Sequence, residues 1–247
     1  MDSASHISLS TVSALRRDLD VTANNIANAD TVGFKRERVA FESYVNEGAS
    51  GGEDVHLVVD GGSYVDETQG RLQATGNPLD VALQGSGWLS FDTVDGERAF
   101  GRDGRLSLDA EGMLINSEGA QVLDIGGGAI NVPPEFANSL SIAKDGTVTS
   151  PTGAVIARIG VFQLDDLQSY ERIGAGLFRA PGDGAAAAIA DPNTSIIQGA
   201  LEGSNVQAIT EVTRLMEIQK AYDRAQRISQ NVDDLRRDAL NRLSRKA

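Results

Sequence analysis

From residue 205 toward the C-terminus, apolar residues return at alternating steps of three and four: Ile218, Ala221, Ala225, Ile228, Val232, Leu235 and Ala239. Glu217, Lys220, Arg224 and Arg227 fall on other faces. This heptad spacing predicts one helix of roughly 35 to 40 residues, starting near Asn205. Such a helix is long for a globular domain, and its stripe needs cover along its whole length. The opposite end repeats the pattern in shorter form. Val12, Leu15, Leu19, Thr22 and Ile26 recur at the same spacing, with Arg16, Arg17, Asp18 and Asp20 between them. A helix from about Ser5 to Asn28 follows. Pattern alone leaves two arrangements open: the two helices pack on their own chain, or they pack with neighbouring subunits.

Between the ends the signal turns to β. Gly is preceded by Asp at 60–61, 95–96, 103–104 and 145–146, and by Glu at 111–112 and 118–119. These pairs punctuate short apolar runs at 88–91, 105–108, 113–115 and 154–164. Asp-Gly suits tight hairpins in which both central residues take positive φ. The predicted fold is a mainly β body of short antiparallel strands and hairpins, joined only by turns and loops. Amphipathic N- and C-terminal helices flank it and pack together or with neighbouring subunits. The chain divides into 1–45, an N-terminal helix and motif, 46–197, the β body, and 198–247, the C-terminal helix. Residues 48–54 read as a flexible loop and 182–195 as an irregular return toward the last helix.

Charge follows the same division. The net charge of −13 splits into −1 for 1–45, −14 for 46–197 and +2 for 198–247. An acidic body repels nucleic acid and anionic lipid, so neither is an expected partner. No apolar run is long enough to span a bilayer, and the first ten residues lack the basic and apolar regions of a cleaved signal. With no cysteine and only His6 and His56 as histidines, thiolate chemistry and a histidine-rich zinc site are excluded.

Motifs for catalysis fail on context. Gly48-Ala49-Ser50-Gly51-Gly52 has the spacing of a nucleophile elbow, but that pattern needs a strand before it, a helix after it and a histidine base, and here it lies in a polar Gly-rich loop. Gly126-Gly127-Gly128 lacks the Lys and Ser/Thr of a phosphate loop and reads as a turn before a strand at 129–132. Asp165-Asp166 is an adjacent pair, whose side chains in a strand point to opposite faces. No catalytic, cofactor-binding or metal-binding residue is assigned, and no cofactor is expected.

The two ends are more specific. The stretch LDVTANNIANADTVGFKRERVAFESYV, 19–45, resembles the N-terminal motif of the flagellar rod and hook family, Asn-Asn-(Leu/Ile)-Ala-Asn-x-x-Thr-x-Gly-(Phe/Tyr)-(Lys/Arg). The match falls on Asn24, Asn25, Ile26, Ala27, Asn28, Thr31, Gly33, Phe34 and Lys35. The stretch GALEGSNVQAITEVTRLMEIQKAYDRAQRI, 199–228, is similar to the family's Gly-x-Leu-Glu-x-Ser-Asn-Val signature and the helix after it. TGNPLDVALQGSGWLSF, 75–91, and FGRDGRLSLDAEGMLINSEGAQVL, 100–123, resemble the shared β body, although Trp88 stands where the family more often carries an aromatic pair. The stretch 233–247 runs past the usual end of the matched helix.

The resemblance implies a structural subunit of the bacterial flagellar basal-body rod, assembled through its terminal helices into the axial tube that transmits torque. The alternatives are a distal rod or hook subunit, or a peptidoglycan-acting hydrolase serving the flagellum. It implies as partners other flagellar rod subunits, copies of itself and the flagellar export apparatus, with no membrane insertion. Location in the periplasmic rod would follow export as an unfolded chain without a cleaved signal. The subunit-interface residues expected are Val12, Leu15, Leu19, Asn24, Asn25, Ile26, Asn28 and Phe34 at one end. At the other they are Leu201, Glu202, Ser204, Asn205, Val206, Ile218, Ala221, Ala225, Ile228, Val232 and Leu235. Asparagine suits a helix end, where its amide can satisfy backbone groups, and Gly33 can supply a positive φ for the exit turn. Isolated amphipathic helices are marginal in water, so the ends are expected to gain order on assembly.

Overall fold

A computed structural model describes residues 2–46, 55–137, 139–174, 176–181 and 189–244. The loop expected at 48–54 and the part of the return at 182–188 lie outside them. In chain order the elements begin with α1 (Asp2–Ala27), β1 (Glu37–Asn46), β2 (Val55–Val65), β3 (Leu72–Ala74), β4 (Val81–Gln84), β5 (Trp88–Asp92) and β6 (Arg98–Gly101). Next come β7 (Ser107–Leu108), β8 (Leu114–Ile115), β9 (Gln121–Val122), β10 (Ser141–Ile142), β11 (Thr147–Thr149) and β12 (Val155–Arg158). The last are β13 (Val161–Gln163), β14 (Glu171–Gly174), β15 (Leu177–Arg179), β16 (Ile189–Ala190), β17 (Ser195–Gln198), β18 (Ala200–Glu202) and α2 (Ala208–Ser244). Two 3-10 helices, Pro134–Phe136 and Leu167–Ser169, stand where only turns and loops were expected.

The chain forms two compact units. The first comprises Met1–Ala27, Glu37–Tyr64 and Gln207–Ala247. In it α1 packs on α2, and β1 pairs with β2. Helix α2 has 37 residues, within the expected range. The burial of α1 departs from the sequence pattern. Among its described side chains Ala14, Asp18, Thr22 and Asn25 are buried; of the expected stripe only Thr22 is among them, and Val12, Leu15, Leu19 and Ile26 are half-buried. The helix has turned its small and polar side inward.

The second unit, Asn28–Arg36 and Val65–Val206, holds the β body. Its nine-stranded sheet is ordered β14-β15-β6-β5-β9-β8-β7, with β13 pairing both β5 and β16. Strand β5 is buried from Trp88 to Phe91 because it pairs with β6, β9 and β13. One core packs Leu89, Phe91, Val122 and Ile130 together. A second is aromatic, with Trp88 edge-on to Phe178 at 5.3 Å and Phe100 edge-on to Phe162 at 6.1 Å. The run 154–164 is not one strand: β12 and β13 are separated by Ile159-Gly160, where a Cβ on Gly160 would lie 2.8 Å from the Asp124 carbonyl oxygen. The segment 129–132 makes only isolated bridges, from Ala129 to Leu123 and from Asn131 to Met113. Asp165-Asp166 lies beyond β13, at the entry to the second 3-10 helix.

Six turns share one geometry, different from the expected one, whereas Asp60-Gly61 lies inside β2 and forms no turn of this kind. At 93–97, 109–113, 116–120, 124–128, 143–147 and 150–154, the fourth residue is a glycine at positive φ whose N–H donates to the first residue's carbonyl. The first residue's N–H then donates to the fifth residue's carbonyl. This is a type I turn closed by a glycine bulge, in which glycine alone needs the left-handed conformation. The Asp or Glu before the glycine keeps negative φ. In several turns the opening side chain holds the loop: Asn116 Oδ1 accepts from the N–H groups of Glu118 and Ala120, at 3.0 and 2.9 Å. Asp103-Gly104 does not form this turn: Gly104 is not at positive φ, its carbonyl accepts from the Val81 N–H at 2.9 Å, and a Cβ on it would fall 1.8 Å from the Val81 carbonyl oxygen. Nothing lies within 4 Å of a Cβ placed on Gly96, so Gly96→Ala meets only the left-handed penalty. A loss of about 1 kcal/mol in unfolding free energy is expected, measured by urea titration.

The first and last strands of the body meet. Strand β17 pairs with β4, aligning Ile196 with Leu83, and β18 pairs with β3, aligning Leu201 with Gln73. The C-terminal signature thereby closes the second unit onto its first two strands.

Candidate functional site

Where β18 ends, the two signature segments are tied together around Glu202. Lys35 is fully buried, and its Nζ lies 2.7 Å from Glu202 Oε1 and 2.8 Å from the Thr68 carbonyl oxygen. The Gly70 N–H donates to the same Oε1 at 2.9 Å. Arg102 donates from one guanidinium nitrogen to Glu202 Oε2 at 3.1 Å and from another to the Gly85 carbonyl at 2.7 Å. Its guanidinium also stacks 5.0 Å from the Trp88 ring. The main-chain oxygen of Glu202 accepts from the Gly33 N–H at 2.8 Å. Two buried cations therefore share one buried carboxylate, an arrangement that holds only while all three groups are present. Burial lowers the pKa of Lys35 from its ordinary value, opposed by the Glu202 charge.

Asn205 ties the same segments through its amide. Its Nδ2 donates to the carbonyls of Asp66 and Thr68, at 2.7 and 3.0 Å, and its Oδ1 accepts from the Arg36 N–H at 2.7 Å. Arg36 pairs with Asp66 at 2.8 Å. Phe34 is buried under Arg172, whose guanidinium lies 4.6 Å from the Phe34 ring and 5.0 Å from the Phe178 ring and donates to the Lys35 carbonyl at 2.7 Å. Ser204 Oγ accepts from the Val206 N–H at 3.1 Å, and Asn28 Oδ1 accepts from the Thr31 hydroxyl at 3.1 Å.

In the helical unit, Asn25 is buried and pairs reciprocally with the backbone of Glu37. Its Nδ2 donates to the Glu37 carbonyl at 2.8 Å, and its Oδ1 accepts from the Glu37 N–H at 3.0 Å. The amide imitates a strand neighbour and fixes where β1 leaves α1. Asn25→Ala is expected to cost about 1–3 kcal/mol, because a buried donor and acceptor lose their partner. Hydrogen exchange should show the loss in α1 and β1, with the β body unchanged.

Asp18 accepts from Arg214 at 3.0 Å, with its side chain nearly buried. Burial raises its pKa above 3.8, against the pull of Arg214 and with a smaller push from Glu211. The folded state thus holds this proton more tightly than the unfolded chain. Asp18's contribution is fully present below 3.8 and fades as pH rises through its folded value. Acidification from about pH 7 to about pH 4 should therefore shift the stability difference between wild type and Asp18→Asn in favour of wild type. Paired urea titrations read the shift.

The structure brings Phe34, Leu201, Glu202, Ser204, Asn205 and Val206 to one junction. Val12, Leu15, Leu19, Asn24 and Ile26 belong to α1 in the helical unit. On α2, Ile218 is buried, Ala221 and Ala225 are half-buried, and Ile228 and Leu235 are exposed. The side chain of Val232 is outside the described residues. Sequence reasoning did not single out Arg102, Arg172, Thr68 or Gly70. Arg102 falls inside a stretch that resembled the β body, but nothing local marks it as the counter-charge of a residue 100 positions away. Among the described residues no group of His, Cys, Asp and Glu is suited to a metal ion. No helix among them is long and apolar enough to cross a membrane.

Three family models match in chain order: "Flagella basal body rod protein" over 6–35, "Flagellar hook protein FlgE/F/G D1 domain" over 82–150, and "Flagellar basal body rod FlgEFG protein C-terminal" over 197–243. The chain is 39% identical to the flagellar basal-body rod protein FlgF of Caulobacter vibrioides, covering 99% of each. It is 33% identical to the FlgF of Mesorhizobium japonicum, covering 100% of each. Against the rod protein FlgG of Bacillus subtilis it is 31% identical, covering 90% of this chain and 92% of the relative. These names describe a structural element, not a catalytic activity. The junction around Glu202 joins segments covered by two separate family models, Lys35 at the edge of one and Glu202 within another. The chain belongs to the flagellar basal-body rod protein family and is a structural subunit of the rod.

Proposed function

We propose that the subunit assembles through α1 and α2 into the axial tube that transmits torque along the rod. Its neighbours are copies of itself and other rod subunits, and the flagellar type III apparatus exports it to the periplasm without a cleaved signal. In this reading 1–45 and 198–247 are the assembling parts, and the β body at 46–197 carries no catalytic role. The observation that carries it is the incomplete cover of α2. Ile228 and Leu235, on the heptad stripe, are 58% and 70% exposed, and Ile209, Val212 and Met216 are exposed on another face. A monomer leaves these side chains in water, and coiled packing against neighbouring helices removes them. Each large apolar side chain so covered contributes about 1.5–3 kcal/mol before the entropy of association is subtracted.

The test is Ile228→Asp with Leu235→Asp in the full chain. The purified monomer should melt as wild type does, since both side chains are exposed, while cells carrying it in place of wild type should lose the protein from isolated basal bodies and lose motility. Normal incorporation and motility would overturn the role of this stripe.

A further inference from the structure

The β-body unit carries 20 acidic and 10 basic residues. Seven of those cations are engaged inside the unit, Lys35, Arg36, Arg102 and Arg179 by carboxylates. The side chains of Arg71, Arg105 and Lys144 make no ion pair or hydrogen bond among the described residues. Lys144 lines a separate cleft. The other two open onto one notch of about 330 Å3, whose walls include Asp30 and Val32 from the N-terminal signature and Leu201 and Ser204 from the C-terminal signature.

In a unit with a twofold excess of acid, two arginines without an acidic partner among the described residues line a single concave notch. Each guanidinium presents a planar fork that fits a carboxylate, and Asp30 offsets only one of the two positive charges. Two of its walls are tied by backbone pairing, with Leu201 aligned on Gln73 and the Gly203 N–H donating to the Arg71 carbonyl at 2.9 Å. Net negative charge makes an acidic body repel its own copies, and a cationic spot facing carboxylates offsets that repulsion. A helical assembly also needs a heterologous contact, in which one patch meets a different patch on the next copy. A cationic notch on one side and exposed carboxylates elsewhere on the same unit satisfy both needs.

We propose that this notch is a docking point for carboxylates on the β body of a second copy of this chain. The proposal rests on the rod-subunit reading and adds to it a second contact, made by the body and not by the helices. Because the two arginines sit at an exposed rim, the contact acts on the selection and rate of docking, and it weakens as salt rises.

The test is Arg71→Glu with Arg105→Glu in the full chain. Monomer melting and hydrogen exchange should match wild type, because both side chains are exposed. Recovery of the protein in isolated basal bodies should fall by about tenfold, since like charges then face one another. Arg71→Lys with Arg105→Lys, which keeps the charge, should restore most of it. A photo-reactive residue at Gln73, on the notch wall, should cross-link to a second copy in assembled rods. Wild-type incorporation of the double reversal, or cross-linking only to a different protein, overturns the proposal. If the reversal incorporates normally while the Ile228 and Leu235 variant is excluded, the notch fails and the rod reading stands. If wild-type protein is itself absent from basal bodies, the rod reading fails with it.

Discussion

Glu202→Ala is expected to destabilise the β body by about 3–5 kcal/mol, because it leaves two buried cations without their counter-charge. Lys35 would lose the carboxylate it contacts, and among the described residues Arg102 would keep the Gly85 carbonyl and the Trp88 ring while the Gly70 N–H would have no acceptor. For a chain of this length that is a fall in melting temperature on the order of 10 °C, read by calorimetry. Glu202→Gln keeps an oxygen for Lys35 or Gly70 and should lie between wild type and alanine. Its amide nitrogen then faces a cation and cannot accept. The loss should spread beyond β18, since hydrogen exchange of β3 and of the segment 33–36 depends on the same carboxylate. A change confined to β18 would show that the junction is peripheral to the body's stability.

Gly33→Ala should be nearly as damaging, at about 2–5 kcal/mol, and for a different reason. Gly33 has φ of +69°, and a Cβ there would stand 2.3 Å from the Arg102 carbonyl carbon and 2.5 Å from the Asp103 nitrogen. The left-handed penalty alone is about 1–2 kcal/mol. The overlap with backbone adds to it, since backbone cannot yield as a side chain can. Contrast with Gly96, which has a similar φ and open space around it, isolates the packing contribution. Equal losses for Gly33→Ala and Gly96→Ala would mean that the motif glycine serves only its turn.

The helices were the most legible part of this fold. Heptad spacing placed α2 within three residues of its start, because a period of 3.6 leaves a mark over ten turns. The β body was legible as a class, through glycines that must adopt positive φ. The turn geometry was not, since Asp-Gly is compatible with two hairpin types and the choice depends on the residue that opens the turn. Strand Glu37–Asn46 was hidden by its place inside a motif read as a whole. The inward side of α1 was read correctly only at Thr22, for a simpler reason. Apolar spacing marks Val12, Leu15 and Leu19, but Asp18 is held by Arg214, 196 positions away, and Asn25 by a backbone turn it helps to make. The junction around Glu202 was visible only as signature residues. Its chemistry depends on Lys35, Arg102 and Glu202, whose proximity follows from β17 and β18 returning to β4 and β3, and long-range pairing leaves no local trace.

The central claim, that the outer stripe of α2 is covered by a neighbouring subunit, is tested by cross-linking in isolated basal bodies. The chain has no cysteine, so Ile228→Cys and Leu235→Cys each introduce a unique reactive site. A short bismaleimide should yield a covalent product between subunits from both positions in assembled rods, and none from the dilute monomer. Assembled rods in which both thiols stay freely alkylated and unlinked would contradict it.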